Sequence, residues 1–261
     1  MTSKPKYTLE TRAGDCREHG RFPDHLVQQF GTDPVWFGCP RCHFDARHSQ
    51  DLDQRVPAVN TQRGRLLNER LMDAGIPERF MGCTLANWSV STPAQSQAMA
   101  ACGGFVEAFE ENFAVGRSAM LLGTVGTGKT HLGTAMLQAV IREYALEGLR
   151  GLYATAGSII RDVKATFGNR GRTEADVYED LIRPDLLVID EVGVQHGTDF
   201  ERQVLFEAIN GRYERVKPTI VVSNLGVTEL RQCLGDRAVD RLRDKSGIVV
   251  VFRWASARGD V

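Results

Sequence analysis

Residues 123–130 read GTVGTGKT, and no other stretch restricts the fold of this chain as strongly. The pattern G-x-x-x-x-G-K-[ST] works only between a β-strand and an α-helix. Both flanks fit: the apolar run AMLL precedes it, and HLGTAMLQAVIREYALEG follows with helical periodicity. Gly123, Gly126 and Gly128 let consecutive backbone N–H groups turn inward as a nest for phosphate oxygens. The following helix adds its positive end. The backbone from Gly123 through Thr124, Val125, Gly126, Thr127 and Gly128 to Lys129 and Thr130 is therefore expected to cradle a nucleotide. Lys129 would reach the β- and γ-phosphates, and the Thr130 hydroxyl would ligate Mg²⁺. His131 is expected to face a neighbouring element, with no chemical role.

The rest of the chain extends this unit into an α/β protein. Short apolar strands (SAMLLG, GLYATA, DLLVIDEVG, PTIVVSN, GIVVVFRW) alternate with amphipathic helices such as SIIRDVKATFG and FERQVLFEAINGRYER. That alternation predicts a mostly parallel sheet covered by helices on both faces. QSQAMAACGGFVEAFEENF and TELRQCLGDRAVDRLRDK each read as one helix. The stretch NRGRTEADVYEDLIRP reads as a polar insertion before the third strand. The longest apolar runs are five to seven residues, too short to span a bilayer. MTSKPKYTLE has no apolar signal core, so a cytoplasmic location is expected. A formal net charge of −1 excludes binding to DNA by bulk charge, but not through a local patch. From Arg215 onward, nine Lys or Arg stand against five Asp or Glu.

LLVIDEVG is an apolar strand that ends in two carboxylates. Asp190 at the strand end is placed to hold Mg²⁺, and Glu191 to polarise an attacking water. The second acid points to hydrolysis rather than binding alone. One strand later IVVSN brings Ser223 and Asn224 to the same edge, where Asn224 can orient the water or the γ-phosphate.

A separate chemistry sits near the N-terminus. CREHG and GCPRC give C-x2-H, nineteen residues, then C-x2-C: Cys16, His19, Cys39 and Cys42. Two close pairs of sulfur and nitrogen ligands make a closed tetrahedral Zn²⁺ site, structural rather than catalytic. His25, His43 and His48 are alternative ligands, less well spaced than His19. So short a module cannot bury enough surface alone, and zinc would supply much of its folding energy. Cys83, Cys102 and Cys233 are scattered and read as small packed side chains.

With these residues in place, the chain resembles the AAA+ ATPases, a P-loop NTPase family. Within them it is most similar to helicase loaders of the DnaC type and to the IstB-like transposition helpers. The similarity is carried by GIPERFMGCTLANW, GTVGTGKTHLGTA, GLYATA, DLLVIDEVG, IVVSN and LGDRAVDRLRDKSGIVVVFRWASAR. It covers roughly residues 75–261 and implies an AAA+ domain at 81–261 without a C-terminal lid, after the zinc module at 1–50 and a helical linker at 51–80 that Leu66, Leu67 and Leu71 mark by their spacing. It also implies an arginine finger at Arg241, with Arg237 as the other candidate, acting on a neighbouring protomer's ATP. Arg258 matches the family's second sensor arginine, which contacts nucleotide in its own subunit. It further implies an extra helix in the insertion that lines a path for single-stranded DNA, with Arg170 and Arg172 in the insertion and Lys164 in the helix before it as contacts.

The resemblance thus implies an ATPase with ATP, Mg²⁺ and Zn²⁺, in a bacterial or phage-infected cell. Its partners would be a DnaB-type replicative hexameric helicase, single-stranded DNA, and further copies of itself joined through the ATP site. Two other readings share the same core. One is an IstB-like helper that binds duplex DNA and activates a transposase. The other is an ATP-switched adaptor that does not hydrolyse.

Overall fold

The computed structural model describes residues 8–28, 33–43, 62–168, 171–194 and 197–256. The chain divides into two units, Met1–Gly64 and Arg65–Val261.

In the first unit β1 (Thr8–Cys16) and β2 (Gly20–Val27) form an antiparallel hairpin, and β3 (Val35–Trp36) pairs with the end of β2. Asp24 is the one fully buried side chain among its described residues. Its carboxylate accepts from the Arg12 Nε–H at 3.1 Å and from the Gly38 N–H at 2.8 Å. The Arg12 guanidinium in turn lies 3.9 Å from the centre of the Trp36 ring. This small polar relay joins all three strands to the turn carrying Cys39 and Cys42.

The second unit holds five parallel strands: β4 (Ala119–Gly123), β5 (Gly151–Thr155), β6 (Leu186–Val192), β7 (Thr219–Ser223) and β8 (Ile248–Phe252). Their order across the sheet is β5-β6-β7-β4-β8. The helices are α1 (residues 62–73), α2 (Pro93–Glu107), α3 (Phe109–Val115), α4 (Lys129–Tyr144), α5 (Ala156–Thr166), α6 (Glu174–Ile182), α7 (Asp199–Glu214), α8 (Val227–Leu234) and α9 (Asp236–Arg243). Alternate strand residues feed opposite faces, as the period of two requires. Leu121, Val188, Ile220 and Val222 pack with α2 and α4, whereas Met120, Leu122, Ile189 and Val221 pack with α5 to α9. Thr92, Thr155, Thr173 and Thr198 each open a helix with a reciprocal capping box.

Two expected helices are each divided in two: α2 and α3 are separate helices broken at Ala108, and α8 and α9 are split by Gly235 at φ 85°. The polar insertion carries the extra helix that the resemblance implies, α6. In the expected linker, 51–61 lie outside the described residues, but Leu71, Ala74 and Ile76 are buried in the core of the second unit. The Tyr153 N–H donates to the Ala74 carbonyl at 2.7 Å, so this segment covers the open edge of β5. No helix among the described residues is long and apolar enough to cross a membrane.

Arg212 of α7 is wholly buried. Its Nε donates to Thr219 Oγ1 at 3.0 Å. Nη1 donates to the carbonyls of Leu181, Ile182 and Pro184, and Nη2 to those of Asp185 and Pro218. Burial pushes the guanidinium down to about 9, still above neutrality, so a full charge sits in the core on carbonyl oxygens. Arg212→Ala strands those acceptors and should cost about 3 kcal/mol or more. Arg212→Lys, with a compact ammonium in place of the fork, should fall between. Denaturant midpoints check both.

Candidate functional site

β4 ends at Gly123 and α4 begins at Lys129, so residues 124–128 form the loop between them. Gly126 (φ 78°) and Gly128 (φ 91°) hold left-handed backbone, and a side chain at either would run into Ser256 or the Trp88 indole respectively. Gly128 caps a 16-residue helix whose first N–H groups face the loop's concavity. The Lys129 ammonium, 4% exposed as a residue, donates to the Thr124 carbonyl at 2.6 Å and to Thr127 Oγ1 at 3.4 Å. Thr127 Oγ1 donates to the same Thr124 carbonyl, and Val125 stands exposed at the tip. β8 braces the loop from outside: the Thr124 N–H donates to the Phe252 carbonyl, and Trp254 Nε1 to the Thr127 carbonyl.

The acids lie where β6 and β7 lose register, between Ile189 and Val192. Such an irregularity re-aims side chains at a sheet's edge. Asp190 is buried, and its two oxygens accept from the Tyr153 hydroxyl at 2.9 Å and the Glu191 N–H at 2.7 Å. Glu191 is exposed, with a φ of 58° that only a constrained non-glycine residue adopts. The Ser223 hydroxyl donates to the Val192 carbonyl and accepts from the Leu225 N–H, fixing the turn that presents Asn224.

These groups share one cleft of about 430 Å³, lined by loop residues, Thr130, Asp190, Glu191, Ser223 and Asn224. The loop, both acids and Asn224 are thus brought together as the sequence implied. The cleft also contains Arg79, Phe80 and Cys83, which the sequence reading left without a role. The signal for them was the Pro77 stop and the short 3-10 turn Glu78–Phe80 just ahead of the α/β pattern. His131 does face a neighbouring element, with Nε2 2.9 Å from Asn87 Oδ1 and 3.0 Å from the Thr84 carbonyl. The oxygen-only pair of Thr130 and Asp190 suits a hard cation such as Mg²⁺.

Arg241 does not line this cleft. It lies on α9, its guanidinium 4.8 Å from the Phe206 ring centre and 5.5 Å from that of Tyr213, with Nη1 buried and lacking a hydrogen-bond acceptor among the described residues. Arg237, one turn earlier, is exposed. Arg258 and Arg170 fall outside the described residues.

In the first unit Cys16, His19, Cys39 and Cys42 converge, with ligand atoms all within 4.8 Å of one another. The Cys16–Cys42 sulfurs are 3.6 Å apart, and His19 Nδ1 lies 3.4 to 3.8 Å from the three sulfurs. Tetrahedral zinc requires edges of about 3.8 Å between sulfurs and about 3.5 Å from sulfur to nitrogen, so the cluster fits that ion. Backbone N–H groups of Glu18 and His19, with the His19 ring, pull the Cys16 thiol down to about 6. Its hydrogen bond to Cys16, with burial and Cys39, pushes Cys42 up to about 12. His25 and His43 are not in this group, and His48 lies outside the described residues.

The pattern of the IstB-like ATP binding protein family matches residues 101–253. The replicative helicase loader DnaC of Escherichia coli (strain K12) is 34% identical over 188 residues, 72% of this chain and 74% of that protein. Among solved structures, the DnaC helicase loader superposes with a TM-score of 0.59 at 24% identity, covering 67% of this chain and 99% of that one. AMPPCP-bound DnaA from Aquifex aeolicus superposes with a TM-score of 0.53 at 25% identity, covering 67% of this chain and 52% of that one. The parallel sheet and P-loop place the fold with the AAA+ proteins.

Two outcomes test the sites. Lys129→Ala should abolish ATP binding measured by calorimetry while leaving the melting temperature within a few degrees. Purified protein should carry about one zinc ion per chain, and Cys39→Ser should lose it and open residues 8–43 to protease.

Proposed function

Because the chain belongs to the IstB-like ATP-binding family and to its DnaC helicase-loader relatives, we propose that it is an ATPase that loads a replicative hexameric helicase onto single-stranded DNA. The observation that carries the ATPase reading is the convergence of the phosphate loop, Asp190, Glu191 and Asn224 in one cleft. Nucleotide phosphates take the nest between Gly123 and Thr130, and Lys129 leaves the Thr124 carbonyl for them. Thr130 and Asp190 hold Mg²⁺, which neutralises phosphate charge when bound. Glu191 takes the proton of the attacking water as the bond between the β- and γ-phosphates breaks, and Asn224 orients that water. Asp190 orients Glu191 through its backbone N–H.

The site is completed from outside. Arg241, or Arg237 beside it, reaches the ATP of the next protomer and stabilises charge on the transferring group. Arg258 of the same chain senses the nucleotide. Single-stranded DNA runs by α5 and α6, where Lys164 lies 5.6 Å from the Phe200 ring centre and the exposed Phe167 stacks edge-on against Phe200 at 5.7 Å. Aromatic faces beside cations bind unpaired bases without sequence preference. Both cations are already paired, Lys164 loosely with Glu201 at 4.0 Å and Arg172 more tightly with Asp180 at 2.6 Å. Zn²⁺ on Cys16, His19, Cys39 and Cys42 shapes the N-terminal module as the contact to helicase or DNA. The IstB-like family pattern supports the transposase-helper reading as the alternative, with duplex DNA in place of a single strand.

ATP hydrolysis measured with and without single-stranded DNA and a DnaB-type helicase tests this. Glu191→Gln should retain ATP binding and lose turnover. Arg241→Ala should bind ATP normally and lose assembly-dependent hydrolysis by roughly a thousandfold. Turnover absent in the wild type under all conditions supports the non-hydrolysing adaptor. Stimulation by duplex DNA alone supports the transposase helper.

A further inference from the structure

Tyr153 carries the only phenol in the apolar layer between α4 and the sheet whose hydroxyl is hydrogen-bonded to a carboxylate of the cleft, among the described residues. Its ring packs in the cluster with Leu71, Ile76 and Val188, and the residue is 8% exposed. A phenylalanine would fill that space equally well. The hydroxyl therefore costs desolvation that only its acceptor, Asp190 Oδ2 at 2.9 Å, offsets.

The two bonds on Asp190 divide its carboxylate. Oδ1 holds the Glu191 N–H and with it the left-handed backbone at that residue. Oδ2 is held by Tyr153. The side chain is thus fixed in one rotamer with both oxygens oriented before any ligand arrives. The same tyrosine is anchored at its backbone, where its N–H donates to Ala74. Ala74 begins the segment that continues to Arg79 and Phe80 in the cleft wall. One residue therefore connects the wall of the nucleotide cleft to the carboxylate at its floor.

We propose that Tyr153 is a positioning residue for Mg²⁺ binding: its hydroxyl locks the Asp190 carboxylate in the orientation that receives the ion. This rests on the reading that Asp190 holds Mg²⁺. Losing a hydrogen bond to a charged group leaves Asp190 free to rotate. The Mg²⁺ concentration that half-saturates nucleotide binding should then rise about tenfold.

The experiment titrates Mg²⁺ into the full-length protein with a fluorescent ATP analogue and compares wild type, Tyr153→Phe and Asp190→Asn. Affinity for the analogue in EDTA and the melting temperature are recorded alongside. The expected result is a Tyr153→Phe variant with unchanged affinity in EDTA and a raised Mg²⁺ midpoint. An unchanged midpoint in Tyr153→Phe, with a shifted one in Asp190→Asn, overturns the positioning role but keeps Asp190 as ligand. Unchanged midpoints in both overturn the ligand reading and this inference with it. A second measurement needs no variant at position 153. In protein labelled with 3-fluorotyrosine, one resonance should move on adding Mg²⁺ to the analogue complex, and should not move in Asp190→Asn. A spectrum in which no resonance moves in the wild type overturns the proposal.

Discussion

A guanidinium enclosed by five carbonyls fixes the part of the molecule on which the cleft depends. Arg212 binds the C-terminal turn of α6, the approach to β6 and the approach to β7 at once. It therefore sets the starting points of the two strands whose far ends carry Asp190, Glu191 and Asn224. Strands are stiff over five to seven residues, so placement at one end is placement at the other. Its hydrogen bonds all go to neutral dipoles, with no ion pair among the described residues, and the Asp185 charge nearby favours it. Helix α6 ends with its last carbonyls on this cation, a favourable place for positive charge.

The two units rely on different physics. The second has two apolar layers, one on each face of the sheet, and each layer would hold a domain of this size together. The first has almost no buried apolar surface among its described residues. Its organisation comes from Arg12, Asp24 and Trp36 and from the convergence of four soft ligands. A metal held there would be to the first unit what the sheet is to the second.

Much of this was legible from residue order. The strand, loop and helix around Gly123–Thr130 follow from a spacing that has few structural solutions, and the acidic pair follows from an apolar run that ends abruptly. The convergence of Cys16, His19, Cys39 and Cys42 was legible because two close pairs leave little freedom. Other features were not, for identifiable reasons. Arg212 has helical spacing among polar neighbours and reads as a solvated face; four of its acceptors are backbone carbonyls about thirty residues away, and composition does not show them. Tyr153 reads as core because its ring is core, and only its hydroxyl does anything else. The break at Ala108 has no glycine or proline to announce it, whereas that at Gly235 does. Leu71 and Ile76 lie in a segment that reads as a linker, because the strand edge it covers exists only in three dimensions.

Glu191 holds a backbone conformation in which a glycine would rest without strain. Folding alone therefore does not favour a glutamate at this position. Random substitution should drift toward residues that tolerate left-handed backbone and yield a sturdier but inert chain. If Glu191 serves hydrolysis as proposed, the most heat-resistant members of a population of variants would be the place to look for chains that have stopped turning over.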